Sequence, residues 1–205
     1  MATWWAALAA LPVMAGLLSG CGRAEEGGGA ARRRRILGQE DYDSVRRPDL
    51  VIASLGLSPG DEVVDLGAGR GYFTHRLAVA VGPTGRVVAT DIDPSVLTGI
   101  DRHPVTGEMA AIETRLVEAD EPGLEPGRYD LVLMAEVDHL LSDRAGYLAK
   151  LRAALASGGR LAVANRLPHR AGLMAAAREA GYAVASERLA DLPGQFLVVL
   201  IPQEK

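Results

Sequence analysis

The chain has 205 residues, 48% of them hydrophobic and 23% charged, with a formal net charge of -4. That is the length of one ordinary domain plus a short extension, in a composition that excludes an intrinsically disordered chain. From Ile36 onward 17 basic residues face 24 acidic ones, a balance of -7, which argues against nucleic acid as a substrate because phosphate backbones call for a basic surface.

The chain opens on a nearly continuous apolar run from Trp4 to Leu18. Fifteen residues are short for a membrane span, which needs about 20, and suit the apolar core of a signal peptide. The run leads into Leu18-Ser19-Gly20-Cys21, and Cys21 is the only cysteine, so no disulfide and no cysteine-based metal site can form within the chain. This stretch resembles the lipobox of bacterial lipoproteins. The resemblance implies that residues 1–21 are a signal segment, that Cys21 carries lipid, and that the protein sits at the membrane of the cell envelope through that anchor. The lack of Lys or Arg before Trp4 points instead to a cytoplasmic chain with an incidental cysteine. Residues 22–35, Gly- and Glu-rich and ending in the run Arg32 to Arg35, read as a flexible tether. Residues 36–205 are left as the folded domain.

Within that domain Pro48 opens a short amphipathic helix with Leu50, Val51, Ile52, Leu55 and Leu57 on its apolar face. Strands are expected at Glu62–Leu66, Arg86–Asp91, Ile112–Val117, Tyr129–Ala135 and Arg160–Ala164, the last after a Gly158-Gly159 loop. Helices fall between them at Tyr72–Val81, from Pro94, at Arg144–Leu155 and at Ala171–Ala180. Apolar strands alternating with helices imply a mainly parallel sheet covered on both faces. Two more strands, Tyr182–Arg188 and Phe196–Ile201, are joined by a link too short for a helical crossover, and so form an antiparallel hairpin at the sheet edge. The expected fold is an α/β, Rossmann-like three-layer sandwich with a seven-stranded, mostly parallel sheet.

The most informative stretch is Val63-Val64-Asp65-Leu66-Gly67-Ala68-Gly69-Arg70-Gly71-Tyr72-Phe73. A strand enters a Gly-rich turn and leaves as a helix, an arrangement that brings backbone N–H groups close to a ligand. In the dinucleotide fingerprint G-x-G-x-x-G the third glycine would fall on Tyr72, whereas this chain has G-x-G-x-G with an acid two residues before it. Asp91 ends the second strand, where a carboxylate can accept both hydroxyls of a ribose. Asp93-Pro94 reads as the N-cap of the next helix. Glu118-Ala119-Asp120 closes the third strand.

The loop Asp65-x-Gly67-x-Gly69-x-Gly71, with acids at the next two strand ends, resembles the S-adenosylmethionine motif of class I methyltransferases. It is closest to small bacterial members that share Pro59-Gly60-Asp61, Val64-Asp65 and Gly71-Tyr72-Phe73. The resemblance covers about 165 residues from Pro48 and implies methyl transfer from S-adenosylmethionine. It assigns cofactor contacts to Asp65, Gly67, Ala68, Gly69, Gly71, Asp91, Ile92, Asp120 and Glu121, with Asp120 on the adenine amino group. By the same analogy the segment Gln39–Arg47, with Tyr42, folds over the cofactor as a lid.

Displacement at a sulfonium needs an aligned acceptor and little else, with a base only when the acceptor must lose a proton. Glu136, Asp138 and His139 after the fourth strand and Asn165, Arg166 and His169 after the fifth are the candidates. His139 suits a base at neutral pH, with Glu136 beside it. No Asn-Pro-Pro-Tyr motif follows the fourth strand, which argues against amino-group methylation of adenine or glutamine, and nothing demands a metal. The acceptor is read as a small molecule. The competing reading is an envelope-anchored binding or sensory lipoprotein that keeps the fold without turnover.

Overall fold

The computed structural model describes residues 39–101 and 107–203. Cys21, the Arg32–Arg35 run and residues 102–106 lie outside the described residues.

Two short helices come first, α1 (Gln39–Arg46) and α2 (Pro48–Ser54), separated by Arg47 in the left-handed region at φ 44°. Pro48 disfavours the right-handed helical conformation at the residue before it, so a break falls at Arg47. There follow β1 (Glu62–Leu66), α3 (Thr74–Val81), β2 (Arg86–Asp91), α4 (Pro94–Asp101), β3 (Ala111–Leu116), β4 (Tyr129–Ala135), α5 (Arg144–Ala154), β5 (Leu155–Arg166), α6 (Arg170–Glu179), β6 (Tyr182–Arg188) and β7 (Gln195–Pro202). α5 starts where it does because the Asp143 carboxylate accepts from the Gly146 N–H at 2.9 Å, satisfying one donor of the first turn.

The seven strands lie in the order β3-β2-β1-β4-β5-β7-β6. β1 to β5 pair in parallel, while β7 runs antiparallel to both neighbours, β5 and β6. The expected terminal hairpin is present, and its second strand is the one inserted against β5.

Successive strand residues point to opposite faces, and the core divides accordingly. Val64, Val88, Val132, Met134, Val163 and Val198 pack on α5 and α6 through Leu148, Leu151 and Leu173. Val63, Val87, Leu131, Leu133, Ala162 and Val199 pack on α2 and α3 through Val51, Leu55, Leu77 and Val81. The result is a three-layer sandwich in which every parallel strand ends on the same edge of the sheet.

Two expectations need correction. β5 begins at Leu155, not Arg160: its register on β4 jumps from Tyr129↔Leu155 to Leu131↔Arg160, so Gly158-Gly159 lies in a bulge of the strand. A Cβ on Gly159 would stand 2.6 Å from the Tyr129 carbonyl, and glycine is what lets the bulged backbone press this close. α3 begins at Thr74, with Tyr72 and Phe73 spent in the turn before it.

Candidate active site

At the carboxyl edge, between the ends of β1 and β4, lies a cavity of about 580 Å³, within the range of small-ligand sites. Its walls come from the β1 end and glycine loop (Asp65 to Arg70, Tyr72, Phe73), the β2 end (Thr90, Asp91, Ile92), the β3 end (Val117, Glu118, Ala119), the β4 end (Ala135, Glu136, Val137), Leu140, Leu141 and Tyr147, and Arg46 of α1.

The loop is held from beneath by β2. The N–H groups of Gly67 and Ala68 both donate to the Thr90 carbonyl, at 2.8 and 2.9 Å, and that of Gly69 donates to Asp91 Oδ2 at 2.8 Å. Gly71 N–H goes to the Ala68 carbonyl at 3.0 Å. These loop donors therefore shape the cradle and do not wait for a ligand, contrary to the expectation. Asp91 is an organiser of the loop as well as a cavity carboxylate; its Oδ1 also accepts from Asp93 N–H at 3.0 Å. Asp93 in turn accepts from Ser95 N–H at 2.8 Å, as a capping residue does.

Asp65 is 2% exposed and accepts from Thr74 Oγ1 at 2.6 Å. Burial, outweighing that hydrogen bond and helped by the nearby Asp91 charge, pushes its carboxyl up to about 6. A buried acid with so high a pKa is poised to accept a cation. Thr90 Oγ1, also buried on the cavity wall, finds no hydrogen-bond partner among the described residues, the mark of a polar atom whose partner is supplied from outside the fold.

Gly71 and the pair Asp120 and Glu121 are expected cofactor contacts that the structure does not bring to the cavity wall. A Cβ on Gly71 would meet Ile100 and His75, so this residue closes the loop on α3 and α4. β3 ends at Leu116, and a tight turn at Glu118–Glu121 follows, with Glu121 N–H on the Glu118 carbonyl at 3.2 Å. The turn leaves Glu118 and Ala119 on the cavity. Lys150 of α5 meanwhile takes the Asp120 carbonyl at 2.7 Å and the Glu121 carboxylate at 2.8 Å.

Beyond β4 the candidates separate as well. Glu136 lines the cavity in the left-handed region, at φ 59°, an uncommon conformation for a non-glycine residue and one that clusters at functional sites. Its carboxylate receives Arg46 Nη2 at 2.6 Å, from 90 residues away, with Arg166 Nε at 3.9 Å. Arg46 belongs to the segment Gln39–Arg47 that the resemblance places over the cofactor, but its pairing with Glu136 was not legible. Only its place at the end of α1 brings it there.

His139, the expected base, is not on the cavity wall. It belongs to a cluster with Asp138, Asn165 and His169, so the structure does gather these candidates, into a different arrangement. Asn165 Oδ1 accepts from Arg166 N–H at 2.7 Å, and its Nδ2 donates to Asp138 Oδ1 at 2.5 Å. The amide is thereby oriented, and its Nδ2, 3.0 Å from His139 Nδ1, makes that ring nitrogen an acceptor. The neutral ring then carries its proton on Nε2, and Nδ1 is already engaged. Burial and the His169 ring stacked on it at 4.1 Å push His139 below its ordinary value. With Nδ1 engaged and the proton on Nε2, the ring offers no free lone pair to an acceptor, whereas the lowered pKa merely weakens it as a base.

Taken together, the cavity presents Asp65, Asp91, Glu118 and Glu136 against Arg46 and Arg70, with apolar walls at Ile92, Val117 and Leu141. An excess of carboxylates, an unpartnered hydroxyl and an apolar slot fit a cationic nucleoside. They fit a polyphosphate poorly. Among the described residues, no group of three or more His, Cys, Asp or Glu could hold a metal ion.

The comparisons with known proteins agree. Residues 64–161 match the family model of a methyltransferase domain. The chain is 32% identical over 109 residues to the ubiquinone/menaquinone biosynthesis C-methyltransferase of Ectopseudomonas mendocina, a match covering 53% of this chain and 43% of that protein. The chain spans a third to just under half of the length of the first curated relatives it matches, 32 to 46%. Among solved structures, an S-adenosylmethionine-dependent methyltransferase from Aquifex aeolicus superposes with a TM-score of 0.69 at 20% identity, over 78% of this chain and 91% of that one. The [4+2]-cyclase SpnF superposes with a TM-score of 0.66 at 14% identity, over 83% and 84%, so the same fold serves more than one chemistry. Residues 64–161 thus match a methyltransferase domain, on a fold that this chain shares with S-adenosylmethionine-dependent methyltransferases.

Proposed function

We propose that the protein transfers a methyl group from S-adenosylmethionine to a small-molecule acceptor. The observation that carries this reading is the glycine loop whose buried Asp65 and loop-holding Asp91 face one cavity at the carboxyl edge. Asp65 and the Gly67–Gly69 turn would hold the cationic amino-acid end, Asp91 the ribose, and Ile92 with Val117 to Ala119 the base. When bound, the sulfonium supplies an already activated methyl group. The chain's own work is then to align the acceptor and exclude water. Arg46, Tyr72, Glu136, Val137 and Leu140 surround the side of the cavity opposite β2 and β3 and are the residues for that task. With His139 locked and Glu136 paired to Arg46, the acceptor is one that needs no strong base from the protein.

Isothermal calorimetry on the full chain tests the cofactor half. S-adenosylmethionine and its demethylated product should both bind, and Asp91→Asn should weaken them by about 10- to 100-fold, the loss of charge-assisted hydrogen bonds and of the loop's anchor. Absence of binding in the unaltered protein removes the reading. Binding without any labelled methyl reaching a broad acceptor panel would leave a non-catalytic envelope protein instead.

Cys21 is the lipid-bearing residue in this reading, on the strength of the Leu18-Ser19-Gly20-Cys21 motif and the apolar run before it. Among the described residues no helix is long and apolar enough to cross a membrane. Mass spectrometry of the mature N-terminus should find a lipid-modified Cys21. An unprocessed N-terminus with a free thiol would return the protein to the cytoplasmic alternative.

A further inference from the structure

Nine large apolar side chains stand exposed among the described residues. Scattered singly, such residues are ordinary, but five of the nine share one edge of the sheet. Leu116 (57% exposed) is the last residue of β3, Ile92 (62%) follows β2, Leu140 (73%) lies five residues past β4, Leu167 (43%) follows β5 and Leu189 (42%) follows β6. All five strands run in the same direction, so all five side chains lie along the carboxyl edge, in the spatial order Leu116, Ile92, Leu140, Leu167, Leu189. The cavity opens between Ile92 and Leu140, both of which line it.

The chain also enters the domain here. Arg46, the last residue of α1, lines the cavity, and α1 has eight residues, so Gln39 stands within about 12 Å of it. The segment before Gln39 carries Cys21, lipid-bearing in the proposed function on which this point rests, and the Arg32–Arg35 cluster, two features that draw a polypeptide to a lipid surface.

From this coincidence we infer that the carboxyl edge is a docking surface for a lipid bilayer, with the cavity mouth turned toward the membrane. Arg46, Arg70, Arg166 and Arg188 share this edge with Asp93, Glu118, Asp120 and Asp191. Its charges are mixed, so the contact is one of shallow apolar insertion and resists salt. An electrostatic contact would not.

The experiment uses the full chain with Trp4 and Trp5, its two tryptophans, changed to phenylalanine. A single reporter is then placed by Leu167→Trp, Leu116→Trp or, as control, Val79→Trp. Val79 is 60% exposed on α3, near the helix end remote from the glycine loop. Each variant is mixed with phosphatidylcholine vesicles carrying brominated acyl chains and checked for unchanged thermal melting. Emission from both edge reporters should fall by about half or more, as for side chains buried ~5–10 Å into the interface, and should stay quenched in high salt, while the Val79 position stays bright. Bright edge reporters on vesicle-bound protein would overturn the inference and leave the tether as the sole contact. Equal quenching at all three positions would also overturn it, and so would a monomer–dimer equilibrium that hides the edge reporters between two copies.

Discussion

Changing Asp65 to Asn should make the unliganded protein more heat-stable at pH 7.5 and at the same time abolish tight cofactor binding. The Asp65 carboxyl is raised from 3.8 to about 6 chiefly by burial. Below pH 3.8 the group is protonated in both folded and unfolded chains and costs nothing. As pH rises from there to about 6, the unfolded chain ionises first and the folded state loses stability. The penalty is complete above about 6 and amounts to roughly 3 kcal/mol. The amide side chain of the variant keeps the acceptor oxygen for Thr74 and removes the charge, although its N–H must find a partner. A net gain of about 1–2 kcal/mol, or ~2–6 °C in melting temperature for a domain of this size, should appear at pH 7.5 and vanish near pH 4. A cationic ligand reverses the balance because it needs the ionised form. Affinity in the unaltered protein should therefore fall about tenfold between pH 7.5 and 5, with proton release on binding near pH 6. The Asp65→Asn variant should bind weakly with no such pH dependence. A stability difference between variant and parent that stays the same from pH 4 to 7.5 would show that Asp65 carries no burial cost.

Gly67→Ala and Gly69→Ala should differ sharply although both glycines have positive φ, 70° and 55°. At Gly69 a Cβ meets nothing within 4 Å, so the cost is the left-handed backbone alone, about 1–2 kcal/mol. At Gly67 a Cβ would lie 2.4 Å from Val137 Cγ2 and 3.2 Å from Cγ1, adding about 1–3 kcal/mol of overpacking between the loop and the residue after Glu136. Denaturant melts should thus place Gly67→Ala about 1–3 kcal/mol below Gly69→Ala. Adding Val137→Ala to Gly67→Ala should recover about 1 kcal/mol relative to the sum of the single changes, a coupling that only touching residues show. Strict additivity would mean that the loop and the β4 end do not press on one another as described. Both glycine variants should bind cofactor poorly, Gly69→Ala because its methyl group enters the cavity.

How much was legible in advance differs between the sheet and its edge. Strand positions such as Glu62–Leu66, Arg86–Asp91 and Tyr129–Ala135 were readable because alternation and apolar runs are local properties of the chain, and their observed bounds coincide with the expected ones. The reversed final strand followed from a link too short to cross over. The bulge at Gly158-Gly159 was read as a loop because a glycine pair carries the same local signal whether it ends a strand or lets one bend against Tyr129.

From the amino-acid order alone came the α/β alternation, the acid-flanked glycine turn and the presence of carboxylates near three strand ends, since each depends on neighbours within a few residues. The tertiary structure decided which side chains meet. Lys150 draws Glu121 away from the cavity from 29 residues off, Arg46 reaches Glu136 across 90, and Asn165 fixes the His139 ring across 26. Past a strand end the backbone no longer dictates where a side chain points. The partner that captures it does, and that partner is brought there only by the packed fold.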